Sequence, residues 1–199
     1  MKRTGSTFAL LIALLLLVRS ASAQESTNRP ANWATPVTVT GISNCFQITT
    51  NLYRGAQPTA AGMKQLKAMG VKTVINLRSF HSDKDDLTGT GLKSIHFEVK
   101  PWHAEEEDVV KFLKAATDTN NCPIFVHCQR GADRTGMMCA MYRITVCGWT
   151  KAQALDEMEH GGFDFNPTWQ NIISFIEKAD IDKLKRSAGL TTKQKSEAK

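Results

Sequence analysis

Between its two ends this 199-residue chain has no net formal charge. The overall +6 divides evenly. Lys2, Arg3 and Arg19 give the first 23 residues +3 with no acid among them, and the stretch from Asp180 to Lys199 supplies the other +3. A nucleic-acid binder carries its basic residues on the folded body. The charge balance therefore gives that class no support, and the basic end reads as a solvated tail. No internal repeat is visible. Beyond residue 23 no stretch is long and apolar enough to span a bilayer as a helix. No cysteine follows the first apolar run, so lipid attachment there has no support.

What that beginning does contain is the layout of an export signal. Lys2 and Arg3 precede an unbroken apolar run from Phe8 to Val18, and Ala21-Ser22-Ala23 offers the small residues a signal peptidase accepts. The run is shorter than the roughly 20 residues a spanning helix needs, which disfavours an uncleaved anchor. Residues 1–23 are thus expected to be removed, with the product exported to a periplasm or secreted. Five cysteines remain, Cys45, Cys122, Cys128, Cys139 and Cys147. An odd number leaves at least one thiol without an internal partner. Whether the other four pair is open.

The 42% hydrophobic content is enough for a packed core. Residues 24–42, with Pro30 and Pro36, read as a polar arm. Cys45–Thr49 alternates like a strand, and Asn51–Pro58 continues as an extended stretch. Thr59 can cap a helix over Ala60–Met69 that Gly70 stops. The β-branched run Val71–Leu77 suits a buried strand, and Leu92–Val99 reads as another. Ser79–Gly91 is a polar loop. The acids Glu105, Glu106, Glu107 and Asp108 suit the first turn of a helix ending near Thr117. Pro123–Val126 is a short apolar strand, His127–Thr135 a compact loop, and Gly136–Val146 an apolar helix. The methionines and cysteines of that helix fit core packing. Helices from Thr150 to Gly161 and from Pro167 through Ile176 complete the pattern. Strands alternating with helices predict a single α/β domain over residues 43–178, with a central mostly parallel twisted sheet flanked by helices. Residues 179–199 are expected to form a flexible basic tail.

The segment His127-Cys128-Gln129-Arg130-Gly131-Ala132-Asp133-Arg134-Thr135-Gly136 carries the chemistry. A strand delivers a cysteine, five residues with a glycine turn the chain, an arginine comes next, and a helix begins. Successive amides from Gln129 to Ala132 can converge on a tetrahedral dianion, and a helix N-terminus adds positive potential. Arg134 offers a planar fork to two phosphate oxygens. The same field lowers the pKa of Cys128, and Thr135 can donate its hydroxyl to the sulfur. His127 is expected to pack beneath the loop rather than act as a base. An exposed thiolate of this kind should be inactivated by mild oxidation.

This segment resembles the His-Cys, five residues, Arg, Ser-or-Thr signature of the cysteine-dependent protein tyrosine phosphatase superfamily. With the NLYRGAQP segment, the VINLR strand and the acid-headed helix, the chain is similar to the compact bacterial dual-specificity phosphatases over about residues 43–178. The resemblance implies hydrolysis of phosphomonoesters on proteins or small molecules through a phosphocysteine on Cys128, with no metal or cofactor. The family's usual acid is an aspartate in the loop before the helix preceding the signature. Here that loop, Lys100–Glu105, has none, so His103, Glu105 or Glu106 would have to serve. Asp133 is the other candidate, placed inside the loop as in myotubularin-type and Sac-type phosphatases. Asp83, Asp85 or Asp86 is a third option for the acid, although all three lie in the polar loop and read as solvated. For Arg54 a structural ion pair is preferred. Trp102, Trp149 and Trp169 are expected in the core or the site wall. A phosphate-recognition module with little turnover and a rhodanese-like sulfurtransferase are the rival readings.

Overall fold

The computed structural model describes residues 29–191, so the expected signal peptide and the last eight residues lie outside the described part. In chain order the elements are β1 (Thr35–Pro36), β2 (Phe46–Thr49), β3 (Leu52–Gly55), α1 (Ala60–Ala68), β4 (Thr73–Arg78) and β5 (Lys93–Val99). They continue with α2 (Glu106–Thr117), β6 (Ile124–His127), α3 (Asp133–Thr145), α4 (Lys151–His160), α5 (Gln170–Lys178) and α6 (Ile181–Ala188). One six-stranded sheet has the order β1-β2-β3-β6-β4-β5. The pairs β3–β6, β6–β4 and β4–β5 are parallel, while β1–β2 and β2–β3 are antiparallel. The expected mostly parallel α/β sheet is therefore present, with an antiparallel extension on one side.

The local rules act as the residue types dictate. Thr59 Oγ1 accepts from the Gly62 amide at the head of α1, and Thr150 forms a reciprocal capping box with Gln153 on α4. The first turn of α2 carries Glu106, Glu107 and Asp108 against the helix dipole, and its buried residues Val109, Phe112, Leu113 and Ala116 recur at one-face spacing. By contrast α3 is buried on every side from Thr135 to Thr145. It has no polar stripe because helices and sheet cover it completely. Its one buried cation, Arg143, donates to both carboxylate oxygens of Glu157 on α4 at 2.8 and 2.7 Å.

Both expected domain edges move outward. Residues 29–42 do not hang free as an arm. Ala34, Val39 and Ile42 are buried in the core, the Ala34 amide donates to Glu157, and Arg29 donates to the Ala34 and Gly161 carbonyls. At the other end residues 181–188 form α6 instead of a tail. Asp180 caps it, Leu184 and Ala188 are buried, and Gly189 closes it in the left-handed region. Lys183 pairs with Glu106 of α2. The expected start of α3 moves three residues earlier, to Asp133, so Arg134 and Thr135 belong to its first turn.

The sheet order positions the site. β6 lies centrally, and its last residue, His127, is flanked by Gly55 of β3 and Asn76 of β4 at the same level. The loop after β6 thus emerges at the carboxyl ends of three parallel strands, where ligands of such folds bind.

Candidate active site

Gly131 makes the turn after Cys128. Its φ is +72°, and a Cβ there would meet the Gly55 carbonyl carbon at 2.3 Å. Only glycine lets the loop lie against the end of β3 in this way. Contact with that strand end has a chemical consequence. Every carbonyl from Cys128 to Ala132 is drawn away from the loop's centre by a donor on the surrounding elements or on α3. The Cys128 carbonyl faces His127 Nδ1 at 3.2 Å. That of Gln129 accepts from the Gln57 amide at 3.2 Å. That of Arg130 accepts from Asn44 Nδ2 at 2.9 Å. Gly131 and Ala132 carbonyls accept from Arg54 Nη2 at 2.6 and 3.4 Å, and Ala132 also accepts from the Gly136 amide of α3. In a planar trans peptide the N–H of the next residue points opposite the C=O. The amides of residues 129–133 are therefore turned inward. Ala132, the cap of α3, offers no side-chain bond to that helix's first amides, which leaves them to the sulfur and to a ligand. A cradle of this form binds a tetrahedral anion.

Cys128 sits at its base. It is 3% exposed, a buried thiol and not the exposed one expected. Burial by itself pushes the thiol up, but the Thr135 hydroxyl and amide, the Arg134 charge and the Gly131 amide outweigh it and hold the pKa below the ordinary value. Among the described residues the buried Thr135 hydroxyl has no oxygen or nitrogen partner, which leaves it for the sulfur. The other cysteines move the opposite way. Burial raises Cys45 and Cys139 to about 11 and also lifts Cys122 and Cys147. All five are free thiols. Arg134 is half-buried, with Nη1 donating to the carbonyls of Leu77 and Val99, near the ends of β4 and β5, at 3.3 and 3.4 Å. One corner of its guanidinium is anchored there, and among the described residues its remaining donors have no partner, which leaves them for a ligand.

The acid candidates separate. Asp133 Oδ1 accepts from the Asn166 amide at 3.0 Å and Oδ2 from Arg130 Nη2 at 3.0 Å. Both oxygens are thus engaged as acceptors, one by the Asn166 backbone and one by the Arg130 cation. His103 and Glu105 lie beyond β5, with Nε2 and Oε1 3.3 Å apart. Glu106 is taken by Lys183. Asp83 is not solvated: its side chain is fully buried and bonded to His127. Arg130 and Gln129 stand exposed on the rim, and Arg130 also lies 4.0 Å from Asp164.

Arg54 makes no ion pair among the described residues. It is 1% exposed, serves the loop carbonyls, and stacks on Phe163 at 3.8 Å. Asn44, at φ +53°, and Gln57 are the other loop holders that sequence reasoning passed over. The signal available was the Arg54-Gly55 pair in an extended stretch: a cation followed by a residue without a side chain, at a strand end. Trp149 and Trp169 pack against the core as expected, while Trp102 is 63% exposed.

The sequence matches the family model described as DSP-PTPase phosphatase fused to NAD+ kinase over residues 27–174. It is 35% identical to the dual specificity protein phosphatase TpbA of Pseudomonas aeruginosa over 183 residues, covering 89% of this chain and 80% of that one. It is 26% identical to the inositol diphosphatase DSP3 of Arabidopsis thaliana, covering 72% and 73%. Among solved structures, a Cys-to-Ser variant of P. aeruginosa TpbA in complex with phosphotyrosine superposes with a TM-score of 0.73 at 29% identity, covering 82% of this chain and 99% of that one.

Proposed function

The chain belongs to the DSP-PTPase phosphatase family, and from that membership we propose that it hydrolyses single phosphoryl groups on tyrosine, and on serine or threonine, with Cys128 as nucleophile. The outward turn of all five loop carbonyls carries this reading, because it leaves five amides and Arg134 around one buried thiol. The Cys128 thiolate attacks phosphorus, the P–S bond forms, and the P–O bond to the leaving group breaks. The inward amides of Gln129, Arg130, Gly131 and Ala132, with Arg134, hold the charge of the transferring group. Thr135 then stabilises the departing thiolate as water attacks the phosphocysteine and releases phosphate.

The leaving oxygen must be protonated. With Asp133 engaged as a clamp between the loop and the Asn166 amide, we assign this step to the His103–Glu105 pair. These residues lie on the segment that begins after Val99, the same residue whose carbonyl receives Arg134. For the substrate, the pairing of Arg130 with Asp133 and Asp164 neutralises the rim, which favours one phosphoryl group over a polyphosphate. Exposed Phe80 and Trp102 follow the carboxyl ends of the parallel strands β4 and β5 by two and three residues, which suits an aryl ester. The phosphotyrosine bound by the related TpbA variant supports that choice. An inositol-phosphate substrate is the second reading, supported by the similarity to the inositol diphosphatase of Arabidopsis thaliana. The layout of residues 1–23 supports export to the periplasm or beyond, with a mature chain beginning at Gln24.

Phosphate release from a panel of phosphotyrosine, phosphoserine, phosphothreonine and inositol-phosphate substrates tests these assignments. Phosphotyrosine peptides are expected to lead, and Cys128→Ser to abolish every activity. Glu105→Gln should cost at least tenfold more on phenyl phosphate than on p-nitrophenyl phosphate, whose leaving group needs little protonation. A larger such ratio for Asp133→Asn would return the acid role to the loop. N-terminal sequencing of the exported product checks the cleavage site.

A further inference from the structure

Beneath the anion cradle lies a buried carboxylate that takes no part in the phosphoryl transfer itself. Asp83 comes from the loop after β4, and its side chain is inaccessible to solvent. Its Oδ1 accepts from Asn76 Nδ2 at 3.0 Å and from Gln57 Nε2 at 2.9 Å. Both amides are locked in that orientation from their other ends. Asn76 Oδ1 accepts from the Arg78 amide at 2.8 Å, and Gln57 Oε1 accepts from Arg78 Nη1 at 3.3 Å. Asp83 therefore meets donors on Oδ1 from two sides, an environment that holds a carboxyl ionised. Its Oδ2 lies 2.8 Å from Nε2 of His127, which is itself fully buried and stacked on Phe125. The other ring nitrogen, Nδ1, faces the Cys128 carbonyl. A backbone carbonyl only accepts, so Nδ1 carries a proton. An ionised Asp83 only accepts, so Nε2 carries one as well.

We propose that Asp83 is a positioning residue that keeps His127 doubly protonated, placing the positive end of a buried ion pair against the Cys128 peptide and the negative end one ring further away. This rests on Cys128 being the nucleophile. The pair is neutral as a whole, but its dipole points at the thiolate and its Nδ1–H fixes the carbonyl that starts the outward series. The charges around it are few. His81 approaches Asp83 at 3.7 Å from the same loop. The Arg78 guanidinium reaches it through Gln57. Around the sulfur stand Arg134 from α3, Arg54 from β3 and, on the rim, Arg130 of the loop itself, with the neutral thiol of Cys139 behind.

Two measurements test the proposal. In the wild-type protein, ¹⁵N spectra of the His127 ring at neutral pH should show both nitrogens protonated, and a single protonated nitrogen overturns the proposal even if no variant folds. In Asp83→Asn, the pH dependence of Cys128 alkylation by iodoacetamide should shift upward by about one unit, a tenfold loss of thiolate on the acid side. The kcat/KM for p-nitrophenyl phosphate should fall by the same factor there and converge with wild type at alkaline pH. A merely structural role would lower activity at all pH values and leave the alkylation profile in place. Loss of the alkaline-side fall of the pH profile, with a steeper dependence on leaving group, would make Asp83 the acid and also sink the proposal. Activity retained in Cys128→Ser would instead overturn the reading on which it rests.

Discussion

Gly131 shows how closely the chemistry depends on single atoms. A Cβ there would lie 2.3 Å from the Gly55 carbonyl carbon, 2.4 Å from its oxygen and 2.6 Å from the Ala56 nitrogen. All three are backbone atoms that cannot rotate aside. Gly131→Ala must open the loop, and with the φ penalty the strain is about 1–3 kcal/mol or more. We expect kcat/KM to drop at least a hundredfold and vanadate to lose its hold, measured by steady-state kinetics and competitive inhibition. The thiols give a second expectation at this scale. Cys128 is lowered while Cys45, Cys122, Cys139 and Cys147 are all raised by burial. Limiting iodoacetamide at neutral pH should therefore label Cys128 alone, with phosphate protecting it, as peptide mass mapping would read.

At the scale of elements, the strand ends and the helices divide the work. β3 supplies the loop's support through Arg54 and the bare backbone of Gly55, β4 supplies Asn76, and α3 supplies Arg134 and Thr135 on its first turn. α6 carries none of these groups and packs on α2 and α3. Its Leu184 and Ala188 complete the core near α2. Leu184→Ala should destabilise the protein by about 2–5 kcal/mol through a lost contact and a cavity, with kcat/KM unchanged under native conditions, as urea unfolding and a parallel assay would show. The sequence carried the marks of α6: Asp180 at the cap, Ile181, Leu184 and Ala188 on one face, and Gly189 after the end. Lysines and an arginine between them made the segment read as a tail, because an apolar face this short is a weak pattern without the partner helix in view.

For the molecule as a whole, acid stability depends on the buried carboxylate. Burial pushes Asp83 up, but the hydrogen bond and charge of His127, the Gln57 amide and the His81 charge prevail and hold it below the ordinary 3.8. A carboxyl depressed in the folded state contributes stability that is complete above the unfolded value and is lost as pH falls through the folded one. Thermal unfolding temperature should therefore decline below about pH 4, and less steeply in Asp83→Asn. Much of this protein was legible in its residues. The β-branched run of β4, the caps at Thr59 and Thr150, the alternation of strands and helices and the Cys128-to-Thr135 signature are local patterns, and local backbone preference and side-chain chemistry suffice to read them. What holds the signature open was not legible there. Asn44, Arg54, Gln57 and Asp83 lie 44 to 86 positions before the loop groups they hold, counted from the Asp83–His127 and Asn44–Arg130 bonds. Arg54 suggested an ion pair and Asp83 a solvated loop, since a side chain's partners depend on burial. Burial is settled only when the parallel register brings Gly55, Asn76 and His127 side by side, and the tertiary structure alone sets that register.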